Sequence, residues 1–287
     1  MKIGHFQCRV KCGDFDENLK TLLRGLSQAK AEELEILCFP ESLLTGYFSD
    51  EKEARDNSFR IDGPEIKRLL HEIKAYDTTI VVGFNELRDD KIFNSALVAR
   101  GNVLEGVYAK AFPVLSYFEP GRDFPVFQRG HLTFGVTICA DGAYIEPTRI
   151  LALKGARMII APHYNYITPK GVINHFVRTR GDHIARVREN GIWFLRGNNY
   201  VEGLVESLDY EGIGQGESYI LDCLGEIVCR GRRGQECLIS ADIDFEFVTQ
   251  ATQADAFQYC DRSARSARAL GHIVNEIVSQ EAAAKKF

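Results

Sequence analysis

The first forty residues carry two different patterns of apolar and polar positions. Ile3 to Val10 alternates apolar with polar side chains, which is typical of a strand. Asp14 is suited to be a helix N-cap, and leucines three and four positions apart between Phe15 and Leu34 predict an amphipathic helix. Glu35 to Phe39 is a short apolar run that ends at Pro40, so it predicts a buried strand.

A helix and an antiparallel meander are predicted next. Gly63 and Pro64 favour the start of a helix that runs to Tyr76. Three strand-like runs follow, at residues 79–86, 92–99 and 103–109. A Gly-Asn turn at 101–102 would pair the last two, and it would carry Lys110 to the end of a strand.

The second half of the chain alternates predicted strands with helices. Strands are expected at residues 131–138, 157–161, 192–196, 217–222, 226–230 and 236–242, and helices at 147–154, 172–190 and 254–278. Gly191 fits a C-cap after the second of these helices. Because no linker or repeat interrupts the pattern, we expect residues 1–287 to form one α/β domain with two sheets covered by helices.

The charge balance and the apolar runs exclude several classes of partner. The chain has 35 basic and 40 acidic residues, a formal net charge of −5, and no stripe of interleaved basic and aromatic residues. No apolar run approaches the roughly 18 residues that span a bilayer, and the N-terminus lacks the apolar core of a signal peptide. We therefore expect a cytoplasmic protein that binds neither nucleic acid nor membrane.

Three segments each place a chemically capable side chain directly after an apolar strand. They are FPESLLTGY with Glu41, VYAKAF with Lys110 and FGVTICADGAYIEP with Cys139. Cleavage of an amide by a thiol requires a base, a nucleophile and a positive charge near the developing oxyanion. The three segments supply one of each, and Lys110 beside the site is expected to lower the pKa of the thiol relative to a hydrophobic pocket.

The other seven cysteines favour neither disulfides nor a metal site. No C-x-x-C pair occurs among the eight cysteines, and most of them lie in apolar, strand-like segments where a reduced thiol behaves as a small hydrophobe. We therefore expect no metal and no cofactor.

Together these segments resemble the nitrilase superfamily of carbon–nitrogen hydrolases over nearly the whole chain. The matching pieces are FPESLLTGY, VYAKAF, YFEPGRDFPVF, GVTICADGAYIEPTRILALKGARMIIAP, RVRENGIWFLRGNN and GESYILDCLGEIV. The resemblance implies a four-layer α-β-β-α sandwich, a Glu–Lys–Cys triad at Glu41, Lys110 and Cys139, and pairing of two copies through helices.

One stretch departs from the family pattern. Many members carry a further active-site glutamate shortly before the Pro-Gly turn, whereas FPVLSYFEPG has Leu115 or Ser116 there. Glu119 is the carboxylate nearby, and two interpretations stay open: it fills that role, or it is a surface residue of the turn. Asp141 and Glu146 also match family positions, but we expect them to be structural, with Glu146 capping the helix that begins near Pro147.

The resemblance also implies where a substrate would bind. The loop after the strand at 157–161 lines the pocket in the family, so His163, Tyr164 and Asn165 are expected to recognise substrate. Tyr117 and Phe118 would add aromatic surface for a small substrate. A Cys–His dyad that uses His163 as base is the alternative for proton transfer.

The expected reaction is therefore hydrolysis of a small amide or carbamoyl compound through a thioester. Nitrilases of the family typically follow the cysteine with Trp-Glu, whereas Ala140 and Asp141 follow it here. Two alternatives remain at this point. The chain could hydrolyse nitriles, or the missing glutamate could mark a catalytically impaired member that serves as a binding or assembly module.

Overall fold

Twelve strands and six helices are described in the computed structural model, which covers residues 1–244 and 262–284. The strands are β1 (Lys2–Gln7), β2 (Ile36–Cys38), β3 (Thr79–Arg88), β4 (Lys91–Arg100), β5 (Val103–Ala109), β6 (Val126–Arg129), β7 (Leu132–Val136), β8 (Met158–His163), β9 (Trp193–Asn198), β10 (Tyr219–Leu221), β11 (Ile227–Arg230) and β12 (Cys237–Asp242). The helices are α1 (Phe15–Ala31), α2 (Glu51–Asp56), α3 (Pro64–Ile73), α4 (Ile145–Leu153), α5 (Val172–Asn190) and α6 (Arg262–Ala284). A 3-10 helix, Cys139–Ala143, precedes α4.

The strands form two six-stranded sheets with related orders. The first sheet has the order β12-β1-β2-β3-β4-β5 and the second β11-β10-β9-β8-β7-β6. In each sheet the three central strands are parallel and the outer ones pair antiparallel. Loops that follow parallel strands emerge at the same edge of a sheet, so each sheet gathers several loops at one end.

Three hydrophobic clusters divide the molecule into four layers. The central cluster packs the two sheets against each other and includes Ile36 and Val136. A second cluster joins α1 and α3 to the outer face of the first sheet, and a third joins α4 and α5 to the second. The result is the α-β-β-α sandwich that the resemblance implied.

The capping residues read from the sequence correctly predicted where α1 begins and where α5 ends. Asp14 accepts a hydrogen bond from the backbone N–H of Glu17 at 3.0 Å and caps α1, and Gly191 ends α5 in the left-handed region with φ 63°. Strand β6 was missed because it is only four residues long and lies between Pro125 and Gly130. Of the predicted C-terminal helix, residues 254–261 lie outside the described ranges, and α6 continues past Val278.

The loop after β2 lies directly against β3 at Gly83. A Cβ at that position would stand 2.2 Å from the backbone nitrogen of Ser42, so only glycine permits this approach. The backbone N–H of Leu44 donates to the carbonyl of Gly83 at 3.0 Å, and the N–H of Gly83 donates to the carbonyl of Pro40 at 3.3 Å. These contacts fix Glu41 at the carboxyl end of the first sheet.

Helix α6 carries a stripe of apolar side chains along one face. Leu270, Ile273, Val274, Ile277 and Val278 have the i, i+3, i+4, i+7 spacing of an amphipathic helix and are 43–59% exposed in the part of the chain described. The helix contacts α4 and α5. Among the described helices, α6 included, none combines the length and apolar character that crossing a membrane requires.

Candidate active site

The carboxyl ends of strands from both sheets bring three of the predicted residues together. Glu41 follows β2, Lys110 directly follows β5, and Cys139 begins the 3-10 helix after β7. Lys110 Nζ donates to Glu41 Oε1 at 2.6 Å, and the charges of both residues act on the pKa of the Cys139 thiol. The segments converge because they leave the two packed sheets at the same end.

Glu41 is a buried carboxylate with both oxygens occupied. Its side chain is 1% exposed. Oε1 accepts from Lys110 Nζ and from Asn94 Nδ2 at 2.7 Å, while Oε2 accepts from the backbone N–H of Tyr164 at 2.8 Å. Donors on three sides fix the carboxylate in one orientation, which is what a proton acceptor at a defined distance requires.

Lys110 is a buried cation. Burial opposes its charge and is the largest single effect, but Glu41, Cys139 and Asp141 together outweigh it, so the pKa of the lysine lies above its usual value. The N–H of Lys110 donates to the carbonyl of Asn94 at 2.8 Å, and its own carbonyl accepts from the N–H of Gly121 at 2.9 Å. The ammonium is therefore charged and fixed at the site.

Cys139 occupies an unusual backbone conformation at the wall of a cavity. Its φ is 44°, in the left-handed region that non-glycine residues rarely adopt and that is concentrated at functional sites. Burial and then the charge of Glu41 raise the pKa of its thiol to about 11, against the opposing effects of Lys110 and Arg196. Lys110 does lower this pKa, as expected from the sequence, but the net change is upward, so the resting thiol is protonated.

Asp141 holds the turn of Cys139 against the loop of Lys110. Its Oδ2 accepts from the backbone N–H of Ile138 at 2.9 Å and from the hydroxyl of Tyr108 at 2.8 Å, and its Oδ1 accepts from the N–H of Phe112 at 2.9 Å. These contacts are structural, in line with the role expected for Asp141. They join the ends of β5 and β7 across the two sheets.

Glu146 differs from its expected role as a helix cap. The helix begins two residues before Pro147, and its N-cap is Tyr144, whose side chain makes no capping hydrogen bond. Glu146 lies in the first turn, where its charge still favours the helix dipole.

A cavity of about 330 Å³ opens above the thiol. Part of the lining comes from the 3-10 helix, the end of β8 and the loop after it, including Cys139, His163, Tyr164 and Asn165. Another part of the lining comes from α5, namely His175, Arg178, Thr179, Asp182 and His183. Three predicted substrate-binding residues therefore line the same cavity as the cysteine.

His163 is not arranged as the base of a Cys–His dyad. Its Nδ1 pairs with the carbonyl of Ala161 at 2.8 Å, and burial, reinforced by Arg196, holds the pKa of the imidazole well below its usual value. Asn165 Nδ2 donates to Cys139 Sγ at 3.7 Å, and the backbone N–H of Tyr164 also acts on the thiol and lowers its pKa. The imidazole is neutral and faces the cavity without a described bond to the thiol.

Tyr117, Phe118 and Glu119 lie away from the walls of this cavity. The hydroxyl of Tyr117 donates to the carbonyl of Phe48 at 2.6 Å, and Phe118 packs in a separate apolar cluster with Phe48. Glu119 forms an ion pair with Lys91 at 3.4 Å and is partly exposed. The backbone N–H of Glu119 donates to the carbonyl of Ile92 at 2.9 Å, which fixes the segment beside β4.

Sequence reasoning missed several polar residues of the site. Asn94 on β4 and Arg196 on β9 are polar residues inside otherwise apolar strands, and that contrast was the available signal. Arg178 and Asp182 on α5 gave no such signal, because charged residues one turn apart on a helix usually face solvent.

Comparisons with known proteins find similarity over most of the chain. The family profile described as Carbon-nitrogen hydrolase matches residues 2–253. A nitrilase from Pyrococcus abyssi is 27% identical over 86% of this chain and 91% of its own length. An (R)-stereoselective amidase from a Pseudomonas species is 26% identical over 85% of this chain and 86% of its own.

Two further similarities concern a longer protein and the fold. A glutamine-dependent NAD(+) synthetase from Thermotoga maritima is 27% identical over 86% of this chain, but the match spans only 42% of that protein. The crystal structure of Saccharomyces cerevisiae Nit3, a member of branch 10 of the nitrilase superfamily, superposes with a TM-score of 0.77 at 20% identity, covering 89% of this chain and 94% of Nit3.

The raised pKa of Cys139 predicts a protonated thiol in the resting protein. We expect the difference in thiolate ultraviolet absorbance between the wild type and Cys139→Ser to be absent at about pH 7 to 9 and to grow towards a midpoint near 11. A thiolate signal from Cys139 already present at neutral pH would contradict this assignment of charges.

Proposed function

The chain belongs to the carbon-nitrogen hydrolase family, and on that basis we propose that it hydrolyses a small amide or carbamoyl compound through a thioester on Cys139. The observation that carries this proposal is the buried ion pair of Glu41 and Lys110 beside a thiol that faces a cavity. Base, cation and nucleophile are the three groups that the reaction needs.

In the first half of the proposed reaction, Glu41 takes the proton of Cys139 as the sulfur attacks the carbonyl carbon. Lys110 and a backbone N–H stabilise the negative charge that develops on the oxygen. When the tetrahedral intermediate collapses, the carbon–nitrogen bond breaks and Glu41 returns the proton to the leaving nitrogen. Ammonia or an amine departs, and an acyl group remains on sulfur.

In the second half, water replaces the amine. Glu41, again a carboxylate, removes a proton from water as its oxygen attacks the thioester carbon. The carbon–sulfur bond then breaks, the sulfur recovers its proton from Glu41, and the carboxylic acid leaves. The same base thus serves both halves, which suits a carboxylate fixed by donors on both of its oxygens.

The cavity wall on α5 supports a polar or charged end on the substrate. Arg178 and Asp182 line the cavity one helical turn apart, and neither takes part in a described hydrogen bond or close ion pair. Asp182 is partly buried, and burial raises its pKa against the opposing charges of Arg186 and Arg178. We propose that the end of the substrate remote from the reacting carbon–nitrogen bond carries an amino group, a carboxylate or both. An amino acid with an amide or ureido group in its side chain has this form.

The apolar stripe of α6 supports association with a second copy of the chain. Identical stripes on two copies can cover each other in a two-fold arrangement, because such an interface uses the same surface twice. A contiguous apolar face that stays exposed on a helix packed against α4 and α5 is typical of an interaction surface. We propose that the stripe forms part of a homodimer interface.

The nucleophile assignment predicts the effect of removing the thiol. Cys139→Ala should abolish ammonia release from amides, while Glu41→Gln should lower it about a hundredfold or more, because the base is lost. Turnover would be followed by ammonia release across amides, carbamoyl compounds and nitriles, with circular dichroism to check folding. Cys229→Ala, which removes another partly buried thiol, is the matched control.

Appreciable amidase activity in Cys139→Ala would overturn the mechanism. A folded wild type that forms no acyl-enzyme with any compound of the panel would instead favour the binding or assembly module. Acid formation from nitriles and none from amides would favour nitrile hydrolysis.

The substrate proposal predicts selective losses of affinity. Asp182→Asn should raise KM about three- to tenfold for an amide whose far end carries an amino group, since the carboxylate is only partly buried. The KM for an uncharged aliphatic amide of equal length should not change. Arg178→Gln should likewise raise the KM for amides whose far end carries a carboxylate. Equal changes for charged and uncharged amides would refute the proposed contacts.

The dimer proposal predicts that charge on the stripe separates the copies. Ile277→Asp combined with Val274→Asp should convert the dimer to a monomer in sedimentation equilibrium, because burial of unpaired carboxylates is costly. Glu276→Lys, on the opposite face of α6, is the control and should leave the dimer intact. A monomeric wild type would end this proposal.

A further inference from the structure

Arg196 is a fully buried cation behind the wall that carries the thiol. It lies on β9, is 1% exposed, and packs between the rings of Phe176 and Tyr219. Its guanidinium donates to the carbonyls of Gly216, at 3.2 Å, and Glu217, at 2.5 Å. Burying a charged group costs free energy. A buried arginine in an apolar strand is therefore expected to have a specific function.

The remaining partner of the guanidinium is the side chain of Asn165. Arg196 donates from its second terminal nitrogen to Asn165 Oδ1. The backbone N–H of Asn165 donates to Asn199 Oδ1 at 2.8 Å, which fixes the residue from the other side. Asn165 Nδ2 then lies 3.7 Å from Cys139 Sγ and 3.1 Å from the carbonyl of Tyr164.

This arrangement leaves one orientation for the amide. A guanidinium has five N–H donors and no acceptor, so the face of Asn165 that meets Arg196 must be its carbonyl oxygen. If the amide of Asn165 were rotated by half a turn, its NH2 group would face the N–H groups of Arg196 and its carbonyl oxygen would face Cys139 Sγ. Arg196 therefore determines that a donor faces the thiol.

We propose that Asn165 is a catalytic residue whose N–H stabilises the sulfur anion of Cys139, and that Arg196 is a positioning residue that holds the amide in this orientation. The inference rests on the proposed function, because it takes Cys139 as the nucleophile. It assigns Asn165 to the sulfur, whereas the sequence had suggested substrate recognition.

The electrostatics of the site give this donor a purpose. Charge on sulfur develops beside the carboxylate of Glu41, and two donors of the site, Lys110 Nζ and the backbone N–H of Tyr164, both bind that carboxylate. The N–H of Tyr164 also lowers the pKa of the thiol, but it is shared with Glu41. The negative charge on sulfur and the carboxylate of Glu41 repel each other. A hydrogen bond from the amide N–H of Asn165 to sulfur offsets this repulsion without adding another charge. The same bond would help sulfur leave when the thioester breaks, so it would act in both halves of the reaction.

The inference can be tested on the thiol itself, without any substrate. Asn165→Leu keeps the approximate size of the side chain and removes the donor. The rate of alkylation of Cys139 by iodoacetamide at about pH 8, followed by mass spectrometry of its peptide, should fall about tenfold to a hundredfold. Arg196→Met should cause a similar fall, because the amide is then free to rotate, and Arg196→Lys should restore part of the rate.

Arg186→Met is the matched control, since Arg186 is a mostly buried arginine on α5 that pairs with Glu189 rather than with Asn165. It should leave the alkylation rate unchanged. Where turnover is measurable, kcat should fall with KM unchanged in Asn165→Leu. Should that variant fail to fold, Asn165→Ser removes the same contact with less bulk.

A folded Asn165→Leu or Asn165→Ser in which Cys139 reacts as fast as in the wild type would overturn the inference. Activity retained in Cys139→Ala would overturn the proposed function instead. The two failures are distinguishable, because the alkylation rate reports only on the sulfur and its neighbours.

Discussion

The ion pair of Glu41 and Lys110 is the interaction on which the site depends. Each charge is 1% exposed and would be costly to bury alone, and each makes the other tolerable at 2.6 Å. Removing one partner of such a pair leaves an uncompensated charge, which costs far more than the pair contributes as a whole. The pair is therefore better understood as a device that keeps a charged carboxylate and a charged ammonium beside the thiol than as a source of stability.

The position of this pair follows from sheet architecture, which explains why the sequence indicated it. A proline ends β2 just before Glu41, a Gly-Asn turn precedes β5 and hence Lys110, and an apolar run leads to Cys139. Each is a local signal. Contacts that depend on strand register or on helix orientation had no such signal. Asn94 contacts Glu41 because of the position of β4 in the first sheet. Asp182 lines the cavity because of the orientation in which α5 packs on the second sheet.

The same distinction explains the expectations that the structure changed. Tyr117 and Phe118 were expected to add aromatic surface at the pocket, but the bridge between Ile92 and Phe118 holds that segment beside β4, and both residues belong to a separate apolar cluster. The sequence predicted that Lys110, beside Glu41, lowers the pKa of Cys139 relative to a hydrophobic pocket, and that effect is present, but it does not decide the net direction. Burial and Glu41 act in the opposite direction, and the distances and exposure that decide between them exist only in the folded chain.

The division of the strands between the sheets bears on how the chain is made. Strands β1 to β5 build one sheet and β6 to β11 the other, yet β12 returns to pair with β1, with Lys2 opposite Asp242. A nascent chain must therefore hold the free edge of β1 open until nearly all of the sheet-forming sequence has left the ribosome. Pairing across so long a loop is slow, and an unpaired strand edge is a template for pairing with other chains, so the edge of β1 is open to intermolecular pairing in the interval before β12 arrives.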